Sequence, residues 1–198
     1  MRSRLAVLSA ALALILPAAS LAASQNPADL PAGRYALDKK HASVTAKVMH
    51  LGVSLYTMRF DTFDGSFTYD PAHPETAQVQ ATVDATSLDV GAGYGRKFAD
   101  EFLDASKFPV VSFVSNQIRS GPDGRTGAMT GDLTLHGVTR PVTFDVAFDG
   151  VGHGLLGGTV TGFTASAKIK RSEFGSTALQ NWVGDDVTIT IEAEFDKK

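Results

Sequence analysis

The chain predicts an all-β, antiparallel domain of about eight strands, either closed as an up-and-down barrel or stacked as a sandwich. Three observations point there. Apolar and polar residues alternate with a period of two in most runs, as they do where one face of a strand meets a core and the other meets water. Turn-forming residues separate those runs: Asp64-Gly65, Asp70-Pro71, the Gly121-Pro122-Asp123-Gly124 cluster and the glycine-rich Gly150 to Gly158 stretch. Only one stretch carries helical spacing.

In chain order, strand-like runs cover Arg34 to Leu37 and Ser43 to Leu51, then Thr57 to Phe60 continuing past a bend into Ser66 to Tyr69, and then Ala77 to Asp84. Val110 to Ile118, Gly127 to Leu135, Val142 to Phe148, Gly158 to Lys170 and Val187 to Phe195 follow. In the last of these, Val187, Ile189, Ile191, Ala193 and Phe195 share one face, with threonines and glutamates on the other. The Gly131 to Phe148 segment reads as a hairpin with one apolar face, Leu133 and Leu135 on one arm and Val142, Phe144, Val146 and Phe148 on the other. Pro141 offers no backbone donor, which places it at the start of the second arm. Between Gly91 and Pro109, Phe98 and Phe102 stand four apart, and this stretch predicts a short amphipathic helix lying over a barrel end or sheet face.

The N-terminus has Arg2 and Arg4, an apolar run from Leu5 to Leu16, Pro17, and then small residues to Ala23. This is the pattern of a secretory signal peptide over residues 1 to 23, cleaved after Ala22 or Ala23. A permanent anchor is the weaker reading, because a spanning helix needs about twenty apolar residues. Without cysteine the chain can be neither a lipoprotein nor held by disulfides. Residues 24 to 198, free of linkers and repeats, then form one domain that is not embedded in a membrane. Loss of Arg2 and Arg4 takes the formal charge from −3 to −5. Such a surface disfavours nucleic acid as a partner.

Ordered along the mature chain are Tyr35-Ala36-Leu37-Asp38 with His41-Ala42-Ser43-Val44, then Val48-Met49-His50-Leu51-Gly52, Arg59 to Gly65 and Phe102-Leu103-Asp104-Ala105-Ser106-Lys107-Phe108-Pro109. The hairpin from Gly131 to Val142, Arg171-Ser172-Glu173-Phe174-Gly175 and Gly184-Asp185-Asp186-Val187 follow. Together they resemble the YceI family of bacterial periplasmic proteins. The resemblance implies a lipocalin-like, eight-stranded antiparallel barrel with one short helix covering it, a periplasmic location, and binding of polyisoprenoids and related amphiphiles. The sequence departs from the family at Ala42, where serine is common, and at Gly95-Arg96-Lys97, where an Arg-Asp pair and an asparagine are frequent. A barrel of eight strands is just wide enough to be filled by side chains or to hold one slender ligand. Some twenty buried carbons at about 0.8 kcal/mol each offer roughly 16 kcal/mol gross, against an association cost of about 4 to 15 kcal/mol.

On that reading the candidate lipid-contacting residues are His50, Phe60, Phe98, Phe102, Phe108, Phe113, Leu133, Leu135, Phe144, Phe148 and Trp182. His50 also admits a plainer reading as a hydrogen-bonded core histidine, since buried polar groups need partners. Trp182 is read as a plug at a barrel end. Tyr94, Arg96 and Lys97, beside the helix start, are head-group candidates for a phosphate or pyrophosphate; the neighbouring glycines read equally as a turn. No cofactor, metal site or catalytic group is expected: the five histidines lack ligand spacing, and no thiol or nucleophile elbow is present. The expected function is a carrier of a polyprenyl phosphate or isoprenoid quinone. A fatty acid or fatty amide carrier, a lipid-acting enzyme, and a filled barrel that docks on membrane or envelope proteins are the alternatives.

Overall fold

A computed structural model describes residues 23–91, 93–155 and 157–198. The proposed leader, residues 1 to 23, thus lies outside the described residues save for Ala23. Ten strands, β1 (Gly33–His50), β2 (Ser54–Phe60), β3 (Phe63–Tyr69), β4 (Gln78–Asp84), β5 (Leu88–Asp89), β6 (Val110–Ser120), β7 (Thr126–Leu135), β8 (Val138–His153), β9 (Thr159–Lys170) and β10 (Val183–Lys197), accompany one helix, α1 (Gly95–Leu103). Every ladder is antiparallel, and the order β10-β9-β8-β7-β6-β4-β3-β1 closes on itself because β1 pairs again with β10. β2 and β5 extend the β3 and β4 positions past their bends, so the wall has eight staves.

The first stave corrects the sequence reading. β1 is unbroken from Gly33 to His50, where the sequence suggested two strands. Its register against β10 slips between Leu37↔Phe195 and Ala42↔Ala193, so that Asp38, Lys39, Lys40 and His41 bulge opposite Glu194 alone. The bulge interrupts the alternation without ending the strand.

Pro141 is likewise inside β8 rather than at its start. Leu135↔Val138 closes a two-residue turn in which His136 (φ 54°) and Gly137 (φ 75°) are both left-handed, as a type I′ hairpin requires. Pairing alternates from that closing pair, so Asp132↔Pro141 is a pair without mutual backbone bonds. The proline nitrogen therefore faces away from β7, and the β8–β9 ladder starts only at Asp145↔Ser166.

α1 fills a gap in the wall. β6 begins at Val110, paired with Asp84, so beyond β4 the stave formed by β6 offers no neighbour to β5. The chain between β5 and β6 supplies α1 instead, and Ala99 and Ala105 pack it against Ala85, Leu88 and Val90. Gly95 allows the close seat: a Cβ there would lie 1.9 Å from the Leu88 carbonyl oxygen. The helix ends on Asp104 in the left-handed region, with its N–H on the carbonyls of Ala99 and Asp100.

Candidate functional site: an apolar barrel interior

Inward residues of the staves leave a cavity of about 650 Å³ rather than filling the barrel. Along β10 alone Val183, Val187, Ile189, Ile191, Ala193 and Phe195 line it. The twelve rises from Val183 to Phe195, at about 3.3 Å each and tilted by roughly 40°, correspond to about 30 Å along the axis. The site is long and narrow, suited to an extended chain rather than a compact substrate.

Of the residues singled out in the sequence, His50, Phe60, Phe98, Phe102, Phe113, Leu133, Leu135, Phe144 and Phe148 line this cavity. Phe113 and Phe144 meet edge to face at 5.2 Å, which holds both rings against the wall. His50 has the inward parity but is exposed at the end of β1, and it is not a hydrogen-bonded core histidine. Tyr56, also a lining residue, tilts against it at 6.2 Å between ring centroids.

Phe108 and Trp182 do not line the cavity. Phe108 lies outside, 5.9 Å from the His136 ring, where it supports the β7–β8 turn. Trp182 is 61% exposed, so its side chain plugs nothing; the residue contributes its backbone, accepting from Leu51 N–H at 2.7 Å. Tyr94, Arg96 and Lys97 are also outside the wall. Tyr94 is exposed and stacks on Phe98, Lys97 is exposed, and Arg96 is tied to Asp100 at 3.2 Å and to Ser106 at 3.1 Å.

Two groups of residues lie outside the candidate lipid-contacting set read from the sequence. Phe67, Phe163 and Phe195 join Phe148 in an aromatic cluster of edge-to-face contacts, centred on Phe67 at 5.5 Å from Phe163 and 5.0 Å from Phe195. The alternation Phe163, Ala165, Ala167, Ile169 already placed Phe163 inward. Tyr35 stacks on Phe67 at 4.6 Å, and its hydroxyl donates to the Pro31 carbonyl at 2.6 Å.

The other is Arg171, a charged residue buried to 6% exposure in the cavity wall. It stands in the 3-10 turn Arg171–Phe174 that follows β9. Its Nε, Nη1 and Nη2 donate to the carbonyls of Gly184, Ser176 and Val183, each at 2.9 Å. Among the described residues no carboxylate lies within 4.0 Å of it; Asp185 is held instead by the Ser172 N–H and hydroxyl, both at 2.8 Å. Burial pulls the guanidinium pKa down and Asp185 pulls it back up, but an arginine so far above neutral stays charged. At the opposite end of the barrel the exposed Arg119 and Arg125 border the cavity.

An antiparallel barrel of eight staves, one helix closing a gap in its wall and an open apolar interior place the molecule among lipocalin-like barrels. Residues 35–195 match the YceI-like domain, and the chain belongs to that family. It is 40% identical over 167 residues to a UPF0312 protein of Pseudomonas putida strain W619, covering 82% of this chain and 84% of that one. The crystal structure of BcnA from Burkholderia cenocepacia superposes with a TM-score of 0.71 at 27% identity, covering 80% of this chain and 98% of that one. A polyisoprenoid binding domain from Saccharophagus degradans, implicated in plant cell wall breakdown, shares the fold with a TM-score of 0.62 at 15% identity, over 83% and 98% of the two chains.

Proposed function

We propose that the protein is a periplasmic carrier that holds a long-chain isoprenoid lipid of the polyprenyl phosphate or isoprenoid quinone class inside its barrel. The observation that carries this reading is the long apolar cavity of about 650 Å³, within the size range of ligand sites and walled by aliphatic and aromatic side chains. The shared fold of the domain named for polyisoprenoid binding supports it, and the leader-like residues 1 to 23 support export.

Arg171 favours the phosphate over the quinone. A guanidinium carries five N–H groups, and three are spent on carbonyls. Two remain on a charged group in a largely apolar wall, where an anionic oxygen would supply a countercharge closer than Asp185. Hydrocarbon burial provides most of the affinity and Arg171 selects the head group. Among the described residues the cavity lining is mainly aliphatic and aromatic, which supports binding of a hydrocarbon chain.

The test is gentle purification of the exported protein, organic extraction and identification of bound lipid by mass spectrometry. A stoichiometric prenyl lipid is the expected result. A protein that is consistently free of lipid and takes up no long-chain probe overturns the proposal, and a fatty acid or amide as the only guest replaces its ligand class.

A further inference from the structure

The end of the barrel that carries Arg171 is edged by large apolar side chains facing water. Met49, Leu51, Val53 and Leu55, on and beside the β1–β2 turn, are 38%, 49%, 83% and 64% exposed, and Leu179 and Trp182 in the loop before β10 are 48% and 61% exposed. The two segments touch: Leu51 N–H donates to the Trp182 carbonyl at 2.7 Å, and His50 pairs with Val183. Between Met49 and Tyr56, and again between Ser176 and Gly184, no residue is an acid, a lysine or an arginine.

Two features set this rim apart from scattered surface leucines. Leu51 and Leu179 both adopt left-handed backbone, with φ of 55° and 48°. That conformation is costly for a bulky side chain and is usually given to glycine or asparagine. At Leu51 the strained backbone presents the side chain to solvent, so packing in the core does not repay the strain, and at Leu179 it sets a half-exposed side chain at the cavity mouth. The rim is also continuous with the cavity, since His50, Leu179 and Val183 line it while their neighbours Leu51 and Trp182 point outward.

We infer that this rim is a docking edge for the interfacial layer of a phospholipid bilayer. The inference rests on the carrier reading: a barrel that exchanges a water-insoluble chain must present its apolar mouth to the phase where that chain resides. An uncharged loop pair tipped with leucines and carrying a tryptophan matches that layer, where the indole keeps its ring in the apolar boundary and its N–H among head groups. Insertion is shallow and reversible, because the apolar surface is confined to two loop tips.

Trp182 is the sole tryptophan of the chain, so its fluorescence reports the rim directly. The experiment adds phosphatidylethanolamine–phosphatidylglycerol vesicles to the exported, processed protein, its N-terminus verified by intact mass. The expected result is a blue-shifted emission, quenching by lipids brominated near the head group, and co-sedimentation with the vesicles. Val53→Asp with Leu55→Asp, at positions already in water, is expected to weaken vesicle binding by about tenfold or more without lowering the melting temperature. Emission unmoved by vesicles, or undiminished binding by the double variant, overturns the docking edge. So does a dimer whose Trp182 is shielded before vesicles are added, which would assign the rim to a second copy. Lipid content is measured on the same samples: a loaded protein that ignores vesicles overturns the docking edge alone, and a vesicle-binding protein with an empty barrel overturns the carrier reading alone.

Discussion

Arg171 sets its guanidinium against the ring of Phe102, with Cζ 5.6 Å from the ring centroid. The contact joins the turn after β9 to α1 at the cavity wall, and the carbonyls of Ser176, Val183 and Gly184 add the loop before β10. One side chain therefore braces three segments and places a positive charge in a largely apolar part of the wall.

Arg171→Met separates these roles from simple volume. It strips donors from three carbonyls, each costing on the order of 1–3 kcal/mol if left unpaired, so a loss of roughly 2–4 kcal/mol is expected after partial relaxation and water entry. Denaturant melts measure it. Affinity for a prenyl phosphate should fall by about tenfold or more, as expected for a lost charged hydrogen bond, while a neutral prenol of equal length changes little. Arg125→Met, at the other end of the barrel, should alter neither affinity. The reverse pattern would move the head group to the Arg119 and Arg125 end.

Ala165→Phe tests whether the interior is open. Ala165 faces the cavity from the middle of β9, between Val146 and Ile191. In a solid core an added ring costs about 1–3 kcal/mol through strain. With about 650 Å³ available, the ring should be accommodated with little loss or a gain in stability, while the uptake of long-chain probes falls severalfold. A strong destabilisation with unchanged uptake would contradict an open barrel at this position.

The staves were legible because alternation is local. The parity of Val187 to Phe195 and of Leu133 to Phe148 is written in adjacent residues, and the i,i+4 spacing of Phe98 and Phe102 marked α1 in the same way. Features set by distant pairing were not legible. The continuity of β1 through Asp38 to His41 depends on one residue of β10 opposing four of β1, and Pro141 is tolerated within β8 because of its register against Asp132. In the site, the inward aromatics could be read from parity, but Phe108 and Trp182 lie in connections where parity does not hold. Arg171 was hidden because a charged residue after a strand looks solvated; only the carbonyls of 176, 183 and 184, brought back by the following loop, bury it.

Gly95→Ala reverses an ordinary expectation. In a helix, alanine is favoured over glycine by about 1 kcal/mol. Here the added methyl would stand 1.9 Å from the Leu88 carbonyl oxygen and 3.0 Å from its carbon. Backbone cannot yield as a flexible side chain does, so α1 must lift from β5. A net destabilisation of about 1–3 kcal/mol is expected, the range for overpacked sites. Because Phe98 and Phe102 move with the helix, bound lipid should also dissociate faster. A variant as stable as the parent would mean that α1 shifts freely on its seat.

Acid stability isolates the contribution of Asp185. Its Oδ1 accepts from the Ser172 N–H and its Oδ2 from the Ser172 hydroxyl, and these bonds hold the carboxyl below its usual value, aided by Lys170 and Arg171. A group whose folded pKa is depressed binds its proton more weakly in the native state than in the unfolded one. Its stabilisation is therefore fully present above the unfolded value of about 3.9 and is lost as pH falls through the folded value. Asp38, Asp64, Asp100, Asp123 and Asp186 are depressed as well, so the parent should show a cooperative acid transition to which Asp185 adds one part. Asp185→Asn keeps an acceptor for the Ser172 N–H but removes the charge. Melts of both proteins from about pH 7 to about pH 2.5 should show the parent more stable on the neutral side, with the difference closing below about pH 4 as Asp185 takes up its proton. A difference of constant size across the whole range would assign the effect to altered packing of the turn rather than to the carboxylate.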